Sequence, residues 1–112
     1  MIDIAVIRNN ILKAIKDSGV TQHKLSSEIK VSLRTLNGFL TGNKENISFD
    51  TILKIANYLD IPVEVIINSN PYSIDIYHIS KILDDFPEDK RQIVIDTIKN
   101  TVDCLHSFYK KL

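Results

Sequence analysis

Two short apolar faces, separated by a break of only a few residues, constrain this chain more than any other feature. In residues 21–42, TQHKLSSEIKVSLRTLNGFLTG, Leu25 and Ile29 stand four apart, and Leu36, Phe39 and Leu40 recur at three- and four-residue steps. That spacing puts each set on one side of a helix. Thr21 stands where its hydroxyl can accept from a backbone N–H of the first helix, and Ser32 stands in the same relation to the second. Gly42, with no Cβ, suits the end of the second helix. Helices this short are marginal alone, so other helices must close over them.

The flanking sequence supplies those helices. Ile4, Ile7, Ile11, Leu12 and Ile15 predict an amphipathic helix over residues 2–17, stopped at Ser18 and Gly19. After a polar loop at 43–46, Ser48 can cap a fourth helix, with Thr51 where a capping box has Glu or Gln. Its apolar face is Ile52, Leu53, Ala56 and Leu59. Pro62 at a first helical position, followed by Val65 and Ile66, predicts a short fifth helix. The five together would enclose Leu25, Ile29, Leu36 and Phe39. The expected fold is all-α, with one five-helix domain at 1–68 and a linker at 69–73, where Asn68, Ser69, Asn70 and Pro71 break the pattern.

Beyond the break, residues 74–112 predict two more helices. The first, 74–86, carries Ile74, Tyr77, Ile79, Ile82, Leu83 and Phe86. The second runs over 87–110, opened by Pro87, Glu88 and Asp89 and closed near Lys110 and Lys111. Val94, Ile98, Thr101, Leu105, Phe108 and Leu112 recur along it at alternating four- and three-residue steps, and Ile95, Val102 and Tyr109 widen the stripe. A helix of ~24 residues is roughly 36 Å long, more than the 74–86 helix can cover. An uncovered remainder calls for a partner surface, most simply a second copy of the chain. The residues expected to pair are Val94, Ile98, Val102, Leu105, Phe108 and Tyr109. Folding both helices back on the first domain is the alternative.

Among the 112 residues the net charge is zero, which taken alone argues against a polyanionic partner. The distribution reverses that. Residues 8–44 hold seven basic side chains (Arg8, Lys13, Lys16, Lys24, Lys30, Arg34, Lys44) against two acidic ones (Asp17, Glu28), a net of +5, and the remainder carries −5. The basic region coincides with the short helix pair, as a phosphate-facing surface requires. On the first helix, Arg8, Lys13 and Lys16 lie largely off the apolar stripe, where solubility is the plain reading. A single cysteine, Cys104, allows no intramolecular disulfide, and His23, His78 and His106 are scattered without ligand spacing. The sequence implies no metal, no cofactor and no catalytic constellation. No apolar run approaches the ~20 residues of a membrane span, and Asp3 spoils a signal-peptide reading, so a cytoplasmic setting is the default.

Two short helices with a tight turn and a polar outer face have the layout of a helix-turn-helix. Thr21, Gln22, Leu25 and Ser26, then Val31, Ser32, Thr35, Leu36, Phe39 and Gly42, resemble the Cro/C1 repressor class, the XRE family. The likeness continues through Ile47, Ser48, Thr51, Ile52, Lys54, Ile55, Ala56, Leu59 and Ile61, and covers residues 4–68. Lys30 departs from it, standing where the family has a glycine in the turn. The resemblance implies a lambda-repressor-like domain that binds double-stranded DNA, with helix 32–41 entering the major groove by its N-terminal end. By that match Leu33, Arg34, Asn37 and Gly38 face the bases. Arg34 carries the fork that pairs with guanine O6 and N7, and Leu33 can pack on a thymine methyl. Gly38 leaves no side chain where the family often has a polar one, which would allow close approach of the backbone. Phosphates fall to Thr21, Gln22, Ser32, Asn43 and Lys44, with Lys24 and Lys30 as weaker candidates, and the resemblance also allows one of Arg8, Lys13 and Lys16 a phosphate contact. The two C-terminal helices resemble the multimerisation segment of small SinR-like regulators, where a small antagonist protein can compete for that segment. The implied function is a transcriptional regulator, a repressor acting as a homodimer. The alternative from the residues themselves is a protein-interaction module, antagonist- or antitoxin-like, with weak or no DNA binding.

Overall fold

The computed structural model describes residues 3–110, and their regular structure is helical throughout: α1 (Ile4–Ser18), α2 (Gln22–Ile29), α3 (Leu33–Leu40), α4 (Phe49–Leu59), α5 (Val63–Ile66), α6 (Ser73–Asp84) and α7 (Glu88–Lys110). The fold is all-α, as the periodicity requires. Ile2, Lys111 and Leu112 lie outside the described residues. The chain divides into two compact units between Tyr77 and His78, a boundary that falls inside α6.

In the first unit, a side chain accepts from one of the free N–H groups at the start of each of four helices. Asp3 accepts from the Ala5 N–H at 2.9 Å, Thr21 from Lys24 at 3.0 Å, Ser32 from Thr35 at 3.0 Å and Ser48 from Thr51 at 3.1 Å. At Ser32 and Ser48 the threonine three residues on adds a hydroxyl–hydroxyl bond of 2.7 Å. Threonine thus takes the place of the acid in a capping box without its reach back to the cap backbone. Pro62 and Pro87 each stand just ahead of a helix instead of at its first position.

The turn between α2 and α3 forms despite Lys30. That residue takes the left-handed conformation, φ 58°, ψ 40°, which a non-glycine residue enters at a cost of about 1 kcal/mol. Two backbone bonds hold it there, Lys30 N–H to Ser27 O at 3.4 Å and Val31 N–H to Ser26 O at 3.1 Å. At the far end of α3, Gly42 lies at φ 84° and donates to Phe39 O at 3.1 Å.

The core gathers Ile7, Ile11, Ala14 and Ile15 of α1, Leu25 and Ile29 of α2, Leu36, Phe39 and Leu40 of α3, Ile52, Ile55 and Ala56 of α4, then Ile61, Ile66 and Ile74. The four residues expected at its centre are all buried. Three expectations shift. Leu12 is exposed because its neighbour Ile11 takes the inward position. On α4 the fully buried position is Ile55, while Leu53 and Leu59 are half-buried. Ile74, assigned from its pattern to the C-terminal segment, is only 1% exposed and belongs to the first core. Beside it the Ser73 hydroxyl donates to Val65 O at 2.6 Å. The 68–71 break therefore lies within a compact unit. Buried Asn10 closes this end, its amide donating to Ile66 O at 2.8 Å and Asn68 O at 3.2 Å.

The second unit is built differently. None of α7's residues is buried. Val94 and Ile95 are half-buried, whereas Ile98, Val102, Leu105, Phe108 and Tyr109 are all exposed. From the first turn of α7, Arg91 donates to three carbonyls of the preceding corner: Leu83 at 3.2 Å, Asp84 at 3.4 Å and Phe86 at 3.1 Å.

Candidate nucleic-acid interface

The N-terminal turns of α2 and α3 meet at one surface. Gln22 opens α2, and its side-chain carbonyl accepts from the Asn37 amide on α3 at 3.1 Å. The bond joins the start of one helix to the middle of the other. It leaves the Gln22 N–H pair and the Asn37 carbonyl to bind elsewhere. Gln22, His23, Leu33, Arg34 and Asn37 line a shallow depression of about 540 Å³. The surface carries one fixed cation, one apolar side chain and paired amides. That combination suits anion attraction together with the donor and acceptor pattern of a base edge.

Leu33, Arg34 and Asn37, the residues expected to face bases, are exposed, and Gln22 is half-buried beside them. Thr21 and Ser32 have their hydroxyls engaged in helix caps; Ser32 both accepts the Thr35 N–H and donates to the Thr35 hydroxyl. Asn43 and Lys44 are exposed in the loop after α3, and the Lys44 N–H donates to Gly38 O at 2.9 Å. Gly38 corrects an expectation. Its outward face is not bare, because the Lys44 methylenes lie against it.

Two residues at or near this surface were not assigned from the sequence. His23 was set aside as one of three scattered histidines; its place next to Gln22, at a helix N-terminus, was the available signal. Arg8 was one of seven basic residues with no distinguishing mark. Its guanidinium stacks on the Phe39 ring, 5.0 Å from the centroid, while Nε donates to Phe39 O at 2.7 Å and a terminal nitrogen reaches Lys44 O at 3.4 Å. On α1, Lys13 is likewise engaged, with Asp17 at 3.6 Å and Asp75 at 3.4 Å. The cations that remain exposed around the helix pair include Lys24, Lys30, Arg34 and Lys44.

Residues 10–72 match the family described as the Cro/C1-type HTH DNA-binding domain. The chain belongs to the Cro/C1-type helix-turn-helix family. No curated protein matches the chain. Among solved structures, a transcriptional regulator from Listeria innocua is similar at 19% identity and a TM-score of 0.49, over 92% of this chain and 94% of that one. In this Cro/C1-type domain α2 and α3 are the helix-turn-helix pair, and α1, α4 and α5 bury their inner faces. The matched span begins at Asn10 and ends just ahead of α6. It therefore includes both the amide that locks α1 to α5 and the surface formed by Gln22, Arg34 and Asn37.

Proposed function

We propose that this protein is a sequence-specific regulator of transcription that binds double-stranded DNA as a homodimer and represses by occupying its site. The observation that carries the reading is the surface shared by α2 and α3, where Arg34, Asn37 and Leu33 stand exposed beside a Gln22 already bonded to Asn37. In this reading Leu33, Arg34, Asn37 and the Gly38 position face base edges. The start of α2 with Thr21 and Gln22, the cap at Ser32, and Asn43 with Lys44 hold phosphates. The functional division is a DNA-reading unit followed by an association segment, with Ile74 part of the former.

Dimerisation is supported by α7, whose apolar face is uncovered over Ile98, Val102, Leu105, Phe108 and Tyr109. Val94, nearer the turn, extends the same stripe. Two copies joined there would present two α3 helices to half-sites about 34 Å apart, one helical turn of DNA. Among the described residues no helix is long and apolar enough to cross a membrane, which agrees with a cytoplasmic role.

Selection of bound duplexes from random sequence is the direct test. Wild type should enrich one motif with two related halves, and the Leu33→Ala, Arg34→Ala double variant should lose that enrichment while keeping its helical content. Enrichment of nothing above non-specific background at moderate salt overturns the DNA-binding reading. For the dimer, light scattering of the full chain should give twice the monomer mass, falling to one with Val102→Asp and Leu105→Asp together.

A further inference from the structure

The side chain missing at Gly38 is supplied from elsewhere in the chain. On α3, Arg34, Asn37 and Gly38 fall at i, i+3 and i+4, so they share one face, and the first two are exposed. A Cβ added at Gly38 would lie 3.1 Å from Lys44 Cδ, 3.2 Å from Cγ and 3.3 Å from Cε. The lysine stem thus lies directly over the glycine, on the face that carries Arg34 and Asn37. From these contacts we infer that Lys44 serves as a side chain of the recognition helix, seated on Gly38 and held in register by Arg8, so that its ammonium meets DNA beside Arg34.

Each part of this arrangement has a local cause. The last carbonyls of a helix lack helical partners, and here the loop after α3 satisfies them in a way that fixes its own path. Asn37 O accepts from the Thr41 N–H at 2.9 Å and from its hydroxyl at 2.8 Å, Gly38 O accepts from the Lys44 N–H at 2.9 Å, and Phe39 O accepts from Gly42 N–H. Arg8 adds the tie from α1. It stacks on Phe39 and bonds both the Phe39 and Lys44 carbonyls, so the helix end and the loop residue are gripped by one rigid fork. The Lys44 backbone is then anchored at both its N–H and its C=O. With the backbone set and no Cβ beneath, the stem lies close over the glycine while Lys44 as a whole stays exposed. Even the smallest side chain at position 38 makes the stem give way by a few tenths of an ångström, because these contacts are closer than a Cβ ordinarily makes.

Arg8 and Gly38 are positioning residues in this scheme, and Lys44 is the group that meets DNA. The inference rests on the DNA-binding reading and adds to it that one cation works only from a glycine seat. The test is a double-mutant cycle on the full chain, using a labelled duplex selected by the wild type and fluorescence anisotropy across a salt series. Lys44→Gln should weaken binding roughly tenfold and lower the salt slope by about one. Gly38→Ala should weaken it by roughly fivefold, lower the same slope, and melt at or above the wild-type temperature, since alanine favours helix. The combined variant should bind as Lys44→Gln alone does. Losses that multiply in the combined variant overturn the seat, as does Gly38→Ala with wild-type affinity. Nuclear Overhauser contacts between Gly38 Hα and the Lys44 γ and δ methylenes should be present in the DNA-free protein, and their absence overturns it independently. A wild type that binds no duplex overturns both this inference and the function beneath it, whereas additive losses in a binding wild type overturn this inference alone.

Discussion

Phe39 and Phe108 are the same residue in opposite circumstances. Phe39, on an eight-residue helix, is 1% exposed, packed within the first core and covered on one face by Arg8. Phe108 is 59% exposed on a 23-residue helix, and its ring neighbour is the adjacent Tyr109, edge-on at 5.6 Å. The shorter helix has the complete environment because α1 and α2 pack against it and its inner face joins a shared core. The longer helix is continuous and well patterned yet has no buried residue. Helical periodicity therefore establishes that a face exists, while its occupant depends on what the rest of the chain can bring to it.

Substitutions that treat the two regions alike should separate them. Phe39→Ala should destabilise the first unit by about 3–5 kcal/mol, the range for emptying a buried aromatic site. Chemical unfolding monitored by circular dichroism checks it, and the loss should not depend on protein concentration. Phe108→Ala should instead act through concentration, with near-unchanged unfolding of the first unit at high dilution. An equal loss for both would erase the distinction. Next in size is Asn10→Leu, which leaves Ile66 O and Asn68 O without their donor. It should cost about 1–3 kcal/mol, with faster hydrogen exchange around α5. The smallest effect belongs to Lys30→Gly. Relief of the left-handed strain is offset by the greater freedom of glycine in the unfolded chain, so a gain of up to about 1 kcal/mol is expected. A rise of a few degrees in melting temperature would show it.

Much of this was legible in the sequence because its causes are local. Thr21, Ser32 and Ser48 cap the helices they precede, and Leu25, Ile29, Leu36 and Phe39 are buried where their spacing put them. Gln22, Leu33, Arg34 and Asn37 converge because the turn at Lys30 brings two helix starts together, and a left-handed lysine does that nearly as well as glycine. What was hidden is non-local. Arg8 bonds carbonyls 31 and 36 residues away, and Asn10 reaches 56 and 58 residues along the chain. No periodicity announces such bonds. Ile74 follows an apparent break, so its pattern gave no sign of which core would receive it. Gly38 read as an absence because the stem lying over it comes from a residue outside its helix.

In the proposed dimer, Arg91 has a consequence for the timing of assembly. Its three carbonyl bonds set the path of the chain from Leu83 to Phe86 before any partner arrives. Residues that are already ordered surrender little freedom when they meet a second surface. Encounter can then be limited by diffusion and orientation instead of by a search for the bend. Loosening that corner should slow capture more than it hastens release, leaving a kinetic signature in the association phase.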